Sequence, residues 1–279
     1  MGRNFMFGDL HGGQDGEFKY LTKKVFIEQK DLTSDDVVFF LGDFGLPWFY
    51  DPHGDDLKKE RKAFNSLLPT SYTIFVIPGN HENYHLINDL PIIDKWGGRV
   101  YVYEYNGSFI YYAVRGEVYF INGKMIFTFS GALSGNLNEK VLRKDLVNKY
   151  KVLPKFRYGE FIGNRPKKIK LRHVDYWEEE LFTEEERLRA LDNLASVNNN
   201  VDLILTHTCA LSIVSTMLKT SGRDVDNKLN DPVALFLEEL KKIITFKEWH
   251  FGHLHFKYKI DEDGRKYFCH YKTSPVEVF

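Results

Sequence analysis

Thr73-Ile74-Phe75-Val76-Ile77-Pro78-Gly79-Asn80-His81-Glu82 is an unbroken apolar run that stops abruptly at a polar cluster. Two earlier stretches have the same form. Asn4-Phe5-Met6-Phe7 leads to Gly8-Asp9-Leu10-His11-Gly12, and Val37-Val38-Phe39-Phe40-Leu41 leads to Gly42-Asp43. Continuous apolar runs bounded by Gly and Pro predict strands buried on both faces. Helical spacing between them, over about 17–29 and 55–68, predicts a β-α-β alternation and an α/β fold with helices covering the sheet. In such sheets the C-terminal strand ends are where ligands bind.

Two later segments repeat the pattern. Val201-Asp202-Leu203-Ile204-Leu205 ends at Thr206-His207, and Trp249-His250-Phe251 leads to Gly252-His253-Leu254-His255. Between 99 and 130 the runs are short, with Asn106-Gly107 and Asn122-Gly123 as hairpin signals, so an antiparallel sheet region is expected there. Further helices are expected at 139–148, at 183–197 behind a Thr183 capping box, and from Asp231-Pro232 onward. No internal repeat or low-complexity linker interrupts the 279 residues, so one domain over 1–279 is expected.

Composition narrows the function classes. Charged residues are 28% and hydrophobic residues 43%, which argues against a disordered chain. The 15% of aromatics suits strands. Two cysteines, Cys209 and Cys269, are too few for a disulfide framework. With no signal-peptide core and no apolar run near the ~20 residues of a membrane span, a cytoplasmic protein without a membrane partner is expected.

The polar clusters supply Asp9, His11, Asp43, Asn80, His81, His207, His253 and His255, all at or just past strand ends. Carboxylates, imidazoles and an amide carbonyl form a mixed donor set suited to a transition metal of intermediate hardness. Asp-x-His and His-x-His in extended chain put alternate side chains on one face, so each pair can converge on an ion. A lone histidine is more often a surface or satisfied core residue, and His53, His85, His173, His250 and His270 are read so.

The five blocks, in this order and spanning nearly the whole chain, resemble those of the calcineurin-like metallophosphoesterase superfamily. Ser130-Gly131-Ala132-Leu133-Ser134, Arg143, Tyr176-Trp177-Glu178-Glu179-Glu180 and Thr206-His207-Thr208-Cys209 are similar to a bacterial and phage-like branch of it. The resemblance implies a four-layer α/β/β/α sandwich with two mixed sheets. It implies two divalent transition-metal ions, Mn foremost, with Fe, Zn or Ni as alternatives. Asp9, His11 and His255 would hold one, Asn80, His207 and His253 the other, and Asp43 would bridge them. It implies hydrolysis of phosphate esters by a metal-bridging hydroxide, with His81 beside the leaving group and Asp43 and Asn80 sharing in the catalytic set. Arg143 is a candidate substrate contact. Asn80 is expected to bind through its oxygen and keep its amide nitrogen for the phosphate.

Two departures shape the expectation. Gly42-Asp43 is followed by Phe44-Gly45-Leu46-Pro47-Trp48, without the second Asp or the Arg of many relatives. Asp51 is then the candidate carboxylate partner of His81, and the Ser/Thr protein-phosphatase branch is disfavoured. Gly135-Asn136-Leu137-Asn138 stands where the branch carries an acidic residue.

The net charge of -1 conceals an asymmetry. Segment 149–172 carries nine basic residues against Glu160 alone, with Phe156, Tyr158 and Phe161 interleaved. Read as a basic loop insertion, it is a candidate surface for a nucleotide or nucleic acid; a solvated loop is the plainer alternative. The substrate expected is therefore a nucleotide or nucleic-acid phosphoester. A phosphoprotein phosphatase, and a non-catalytic interaction module retaining the fold, are the competing readings.

Overall fold

The computed structural model describes residues 2–14, 16–47, 55–134, 159–160, 170–171, 178–223 and 230–278. The predicted helix at 139–148, Arg143, Asp51 and nearly all of the basic segment 149–172 lie outside the described residues.

The three opening runs form β1 (Asn4–Phe7), β2 (Val37–Leu41) and β3 (Thr73–Ile77), with α1 (Asp55–Leu67) before β3 and the short α2 (Tyr84–Asn88) after it. Then follow β4 (Ile92–Lys95), β5 (Gly98–Tyr105), β6 (Ser108–Ala113), β7 (Val118–Ile121) and β8 (Lys124–Phe129). A two-residue pair, β9 (Gly159–Glu160) and β10 (Lys170–Leu171), precedes α3 (Glu184–Ser196) and β11 (Leu203–Thr206). The chain ends with α4 (Leu211–Thr220), α5 (Pro232–Ile243), β12 (Glu248–Phe251), β13 (Tyr258–Glu262), β14 (Arg265–Cys269) and β15 (Val276–Val278).

These strands make two large mixed sheets. The first has the order β15-β1-β2-β3-β6-β5-β4 and the second β13-β14-β12-β11-β8-β7. The centre of each is parallel, with β1, β2, β3 and β6 in one and β8, β11, β12 and β14 in the other; antiparallel strands close the edges.

Strand alternation explains why the central strands are apolar throughout. Phe5, Phe7, Val38, Phe40, Ile74 and Val76 pack outward in one core with Phe64 of α1. Met6, Phe39, Phe75 and Ile77 turn inward and meet Ile126, Leu203 and Leu205 of the second sheet. Phe127, Ile204, Trp249 and Phe251 form the outer core of that sheet, under Leu194 of α3, Met217 of α4 and Phe236 of α5. Helix, sheet, sheet and helix thus give the four-layer α/β/β/α sandwich expected from the sequence.

Two expectations change in detail. Residues 17–29 form two 3-10 segments, Glu17–Leu21 and Ile27–Lys30, and not one helix. Thr22 is extended, with its hydroxyl donating to the Lys19 carbonyl, which closes the first segment. The strands of 99–130 do not share one sheet: β5 and β6 join the first, while β7 and β8 begin the second. The expected Asn-Gly hairpins do form within each.

Candidate metal centre

The C-terminal ends of β1, β2, β3, β11 and β12 meet where the two sheets face each other, and each delivers one polar block. The backbone there is unusual. Asp9, His11, Asp43, His253 and His255 all have positive φ, between 46° and 64°. Such conformations are uncommon outside glycine and concentrate at functional sites. Gly42, at φ 83°, shows why glycine stands there: a Cβ would fall 1.9 Å from Nδ1 of His207. A Cβ on Gly79 would fall 2.4 Å from Oδ1 of Asp43.

Two donor clusters result. In the first, Asp9, His11, Asp43 and His255 each place a donor atom within 4.8 Å of the others. Nε2 of His11 is 3.2 Å from Nε2 of His255 and 3.9 Å from Oδ2 of Asp43. Nε2 of His255 is 3.9 Å from Oδ1 of Asp9. In the second, Nε2 of His207 lies 2.8 Å from Oδ1 of Asn80, 3.2 Å from Oδ1 of Asp43 and 3.2 Å from Nδ1 of His253. Asp43 therefore turns one oxygen to each cluster. The Nδ1–H of His207 donates to the Leu41 carbonyl at 2.9 Å, which leaves Nε2 to face the centre.

The electrostatics call for cations. Oδ2 of Asp9 is buried without a hydrogen-bond partner, a costly state for a carboxylate oxygen. Burial and the charge of Asp43 push the Asp9 carboxyl well above the usual range, against the pull of His207. Burial would raise Asp43 too, but His207, His81 and His11 outweigh it and hold it well below. Burial lowers His207, yet Asp43 outweighs that and lifts it to about 9. His255 is lowered to about 4 by burial and by His11. Buried oxygens beside converging imidazole lone pairs suit divalent ions, so the donor set fits the group.

The rest of the predicted set is close by. The backbone N–H of His81 donates to Oδ1 of Asp43 at 2.8 Å, and its ring lies 5.8 Å from that of His11. One N–H of the Asn80 amide donates to Oγ of Ser134 at 2.7 Å.

Residues 5–210 match the model of the calcineurin-like phosphoesterase family. The chain belongs to that family. It is a metal-dependent phosphoester hydrolase, and the family implies a dinuclear site for divalent ions. No curated protein matches the sequence. Among solved structures, this calcineurin-like phosphoesterase is similar to the phosphopantetheinyl hydrolase PptH from Mycobacterium tuberculosis: 14% identity, TM-score 0.42, 99% of this chain and 95% of that one covered. It is similar to a dimetal phosphatase from Danio rerio, with 11% identity, TM-score 0.46 and coverage of 98% and 88%. It is also similar to GAP50 of the Plasmodium inner membrane complex, with 12% identity, TM-score 0.39 and coverage of 96% and 70%.

Sequence reasoning gave no role to three residues that hold this calcineurin-like site together. Glu82, buried, accepts the backbone N–H of Phe44 at 2.6 Å and of Gly79 at 3.1 Å, tying the Asp43 loop to the Asn80 loop. Burial and the charge of Asp43 raise it to about 8. Glu180, buried, accepts from Ser134. Arg115, also buried, donates to the carbonyls of Ser130, Glu179 and Leu181 and to Glu186, joining the end of β8 to the segment before α3. Glu82 had a signal, since it closes the Gly79-Asn80-His81-Glu82 block; Arg115 had none.

Proposed function

We propose that this chain is a dinuclear metallophosphoesterase acting on a nucleotide or nucleic-acid phosphoester. In this reading Asp9, His11 and His255 hold one ion and Asn80, His207 and His253 the other, with Asp43 shared. The observation that carries it is the split of the Asp43 carboxylate, Oδ1 toward His207 and Oδ2 toward His11. Two bound cations would lower the proton affinity of a water and offset charge on the phosphoryl oxygens.

The side chains do the rest. Asn80 presents its oxygen to the centre. His81, anchored through its backbone to Asp43 and set beside His11, donates to the leaving oxygen. Glu82 keeps the two loops in register, which matters because phosphoryl transfer depends mainly on positioning and electrostatics.

The mixed nitrogen and oxygen donors support a divalent transition ion of intermediate hardness, and manganese, foremost in the family resemblance, is our reading among Mn, Fe, Zn and Ni. The basic, aromatic-rich segment 149–172 supports a nucleotide or nucleic-acid substrate, and a phosphodiesterase activity with it. Ser130–Ser134 with Tyr176–Glu180 supports membership of the bacterial and phage-like branch. Cys209 and Cys269, buried and unbridged, support a reducing cytoplasmic setting. Among the described residues, no helix is long and apolar enough to cross a membrane. We read 1–279 as one domain with the basic segment as an insertion.

The test is an assay of the manganese-loaded protein on p-nitrophenyl phosphate, its bis-ester, cyclic nucleotides, short RNA and phosphopeptides. Preference for the nucleotide and RNA substrates, weakening steeply with salt, is expected. Preference for phosphopeptides would make it a phosphoprotein phosphatase.

A further inference from the structure

Ser134 and Glu180 come from two segments that supply no donor atom to either cluster, yet they end on one. Ser134 follows β8, and Glu180 precedes α3. Both Glu180 oxygens are used on Ser134: Oε1 accepts its backbone N–H at 2.7 Å and Oε2 its hydroxyl at 2.7 Å. Oγ of Ser134 in turn accepts the Asn80 amide nitrogen at 2.7 Å, and Oδ1 of Asn80 lies 2.8 Å from Nε2 of His207. All four side chains are buried.

The direction of this chain follows from hydrogen-bond chemistry. A carboxylate accepts and does not donate. The Ser134 hydroxyl must therefore spend its one proton on Glu180, which leaves only lone pairs toward Asn80. The Asn80 amide can satisfy those lone pairs only with its N–H, so its oxygen must face His207 and the centre. An amide turned the other way would set oxygen against oxygen at Ser134 and an N–H donor among the imidazoles. Buried networks of this kind are costly when one member is reversed.

We infer that Glu180 and Ser134 are positioning residues that fix the amide orientation of Asn80 and thereby prepare the second metal site. This rests on Asn80 being a ligand, as proposed above. One N–H of the Asn80 amide is spent on Ser134 in this arrangement, and the second is left for the phosphate. Glu180→Gln is informative because it reverses the polarity. A glutamine can donate to the serine oxygen, freeing the hydroxyl proton to point at Asn80 and favouring the turned amide.

The experiment measures Mn(II) binding to metal-stripped protein by calorimetry, with electron paramagnetic resonance to separate a coupled pair from a single ion. Wild type should bind two ions. Ser134→Ala and Glu180→Gln should weaken the second ion by about 10–100-fold, the usual cost of losing an outer-shell partner, with the first ion unchanged. Ser134→Thr, which keeps the hydroxyl, should restore it. Thermal unfolding of each variant checks the fold, and if Glu180→Gln does not fold, the Ser134→Ala and Ser134→Thr pair decides. Second-site affinities within about twofold of wild type, or equal weakening of both sites, would overturn the inference while Asn80→Ala has lost one ion. If Asn80→Ala still binds two ions, the ligand assignment itself fails and the inference falls with it.

Discussion

Nε2 of His207 lies 3.2 Å from Oδ1 of Asp43, with both side chains buried where the sheets meet. Neither residue is near the other in sequence, and each sits just past the end of its own strand. The pair marks the second cluster, and removing the imidazole should empty that cluster alone. His207→Ala is expected to bind one Mn(II) per chain where wild type binds two. Turnover of p-nitrophenyl phosphate should fall by about 10²-fold or more, the scale of losing one electrostatic stabiliser. Elemental analysis beside a rate measurement checks both.

His81 is bound to Asp43 through its backbone N–H. His81→Ala should therefore keep both ions. Its kcat should fall by about 10²–10⁴-fold with poor leaving groups and much less with p-nitrophenolate, as expected for loss of a proton donor. A plot of log kcat against leaving-group pKa for both proteins measures this, and parallel lines would assign His81 elsewhere.

Gly42 is at φ 83° with His207 where a Cβ would stand. Gly42→Ala should cost about 1–3 kcal/mol from backbone strain alone, and more from the clash. A lowered urea midpoint together with a weakened second ion is the expected result.

Arg115 is buried among carbonyls of two segments and pairs with Glu186 at 2.7 Å. Arg115→Met should destabilise by about 3–5 kcal/mol, because it leaves several buried carbonyls and the half-buried Glu186 carboxylate short of a donor. Chemical denaturation measures the loss.

His250 and His270 form a buried pair, Nδ1 to Nε2 at 3.0 Å, with Glu248 at 3.2 Å on the far side and Phe268 stacked on His250. Burial lowers His250, against the pull of Glu248, and burial with His250 and Lys257 lowers His270 further. Both are neutral in the folded protein near neutral pH and gain protons near pH 6.5 once unfolded. The unfolded chain then binds more protons, so stability is full above about 6.5 and is lost as pH falls through and below that value. Each group contributes up to about 1.4 kcal/mol per pH unit. For the metal-loaded protein, His270→Asn should show a shallower loss between pH 7.5 and 5.5 than wild type. Equal slopes would remove this pair from the account.

The parts of the fold legible in the sequence were those set by local pattern. The apolar runs ending at Asp9, Asp43, Asn80, His207 and His253 became central strands, because residues buried on both faces leave no polar position until the strand stops. The turns at Asn106-Gly107 and Asn122-Gly123 were legible because a tight hairpin requires positive φ. Pairing was less so: β6 lies beside β3 with paired residues 36 positions apart, and no local signal selects that partner. Residues 17–29 misled because the spacing of Phe18, Leu21 and Val25 matches a helix, whereas Thr22 breaks it and leaves Val25 exposed while Phe26 is buried. Ser134, Glu180 and Arg115 act through contacts across 46 to 71 positions, and nothing in their own neighbourhoods announces those partners.

The central claim is that Asp43 serves both clusters at once. Metal content of purified Asp43→Asn, loaded with manganese beside wild type, tests it most directly. Two ions per wild-type chain, and neither retained at stoichiometric level by a folded Asp43→Asn, are predicted. Two tightly held ions in the variant, or retention of one at wild-type affinity, would contradict the shared carboxylate.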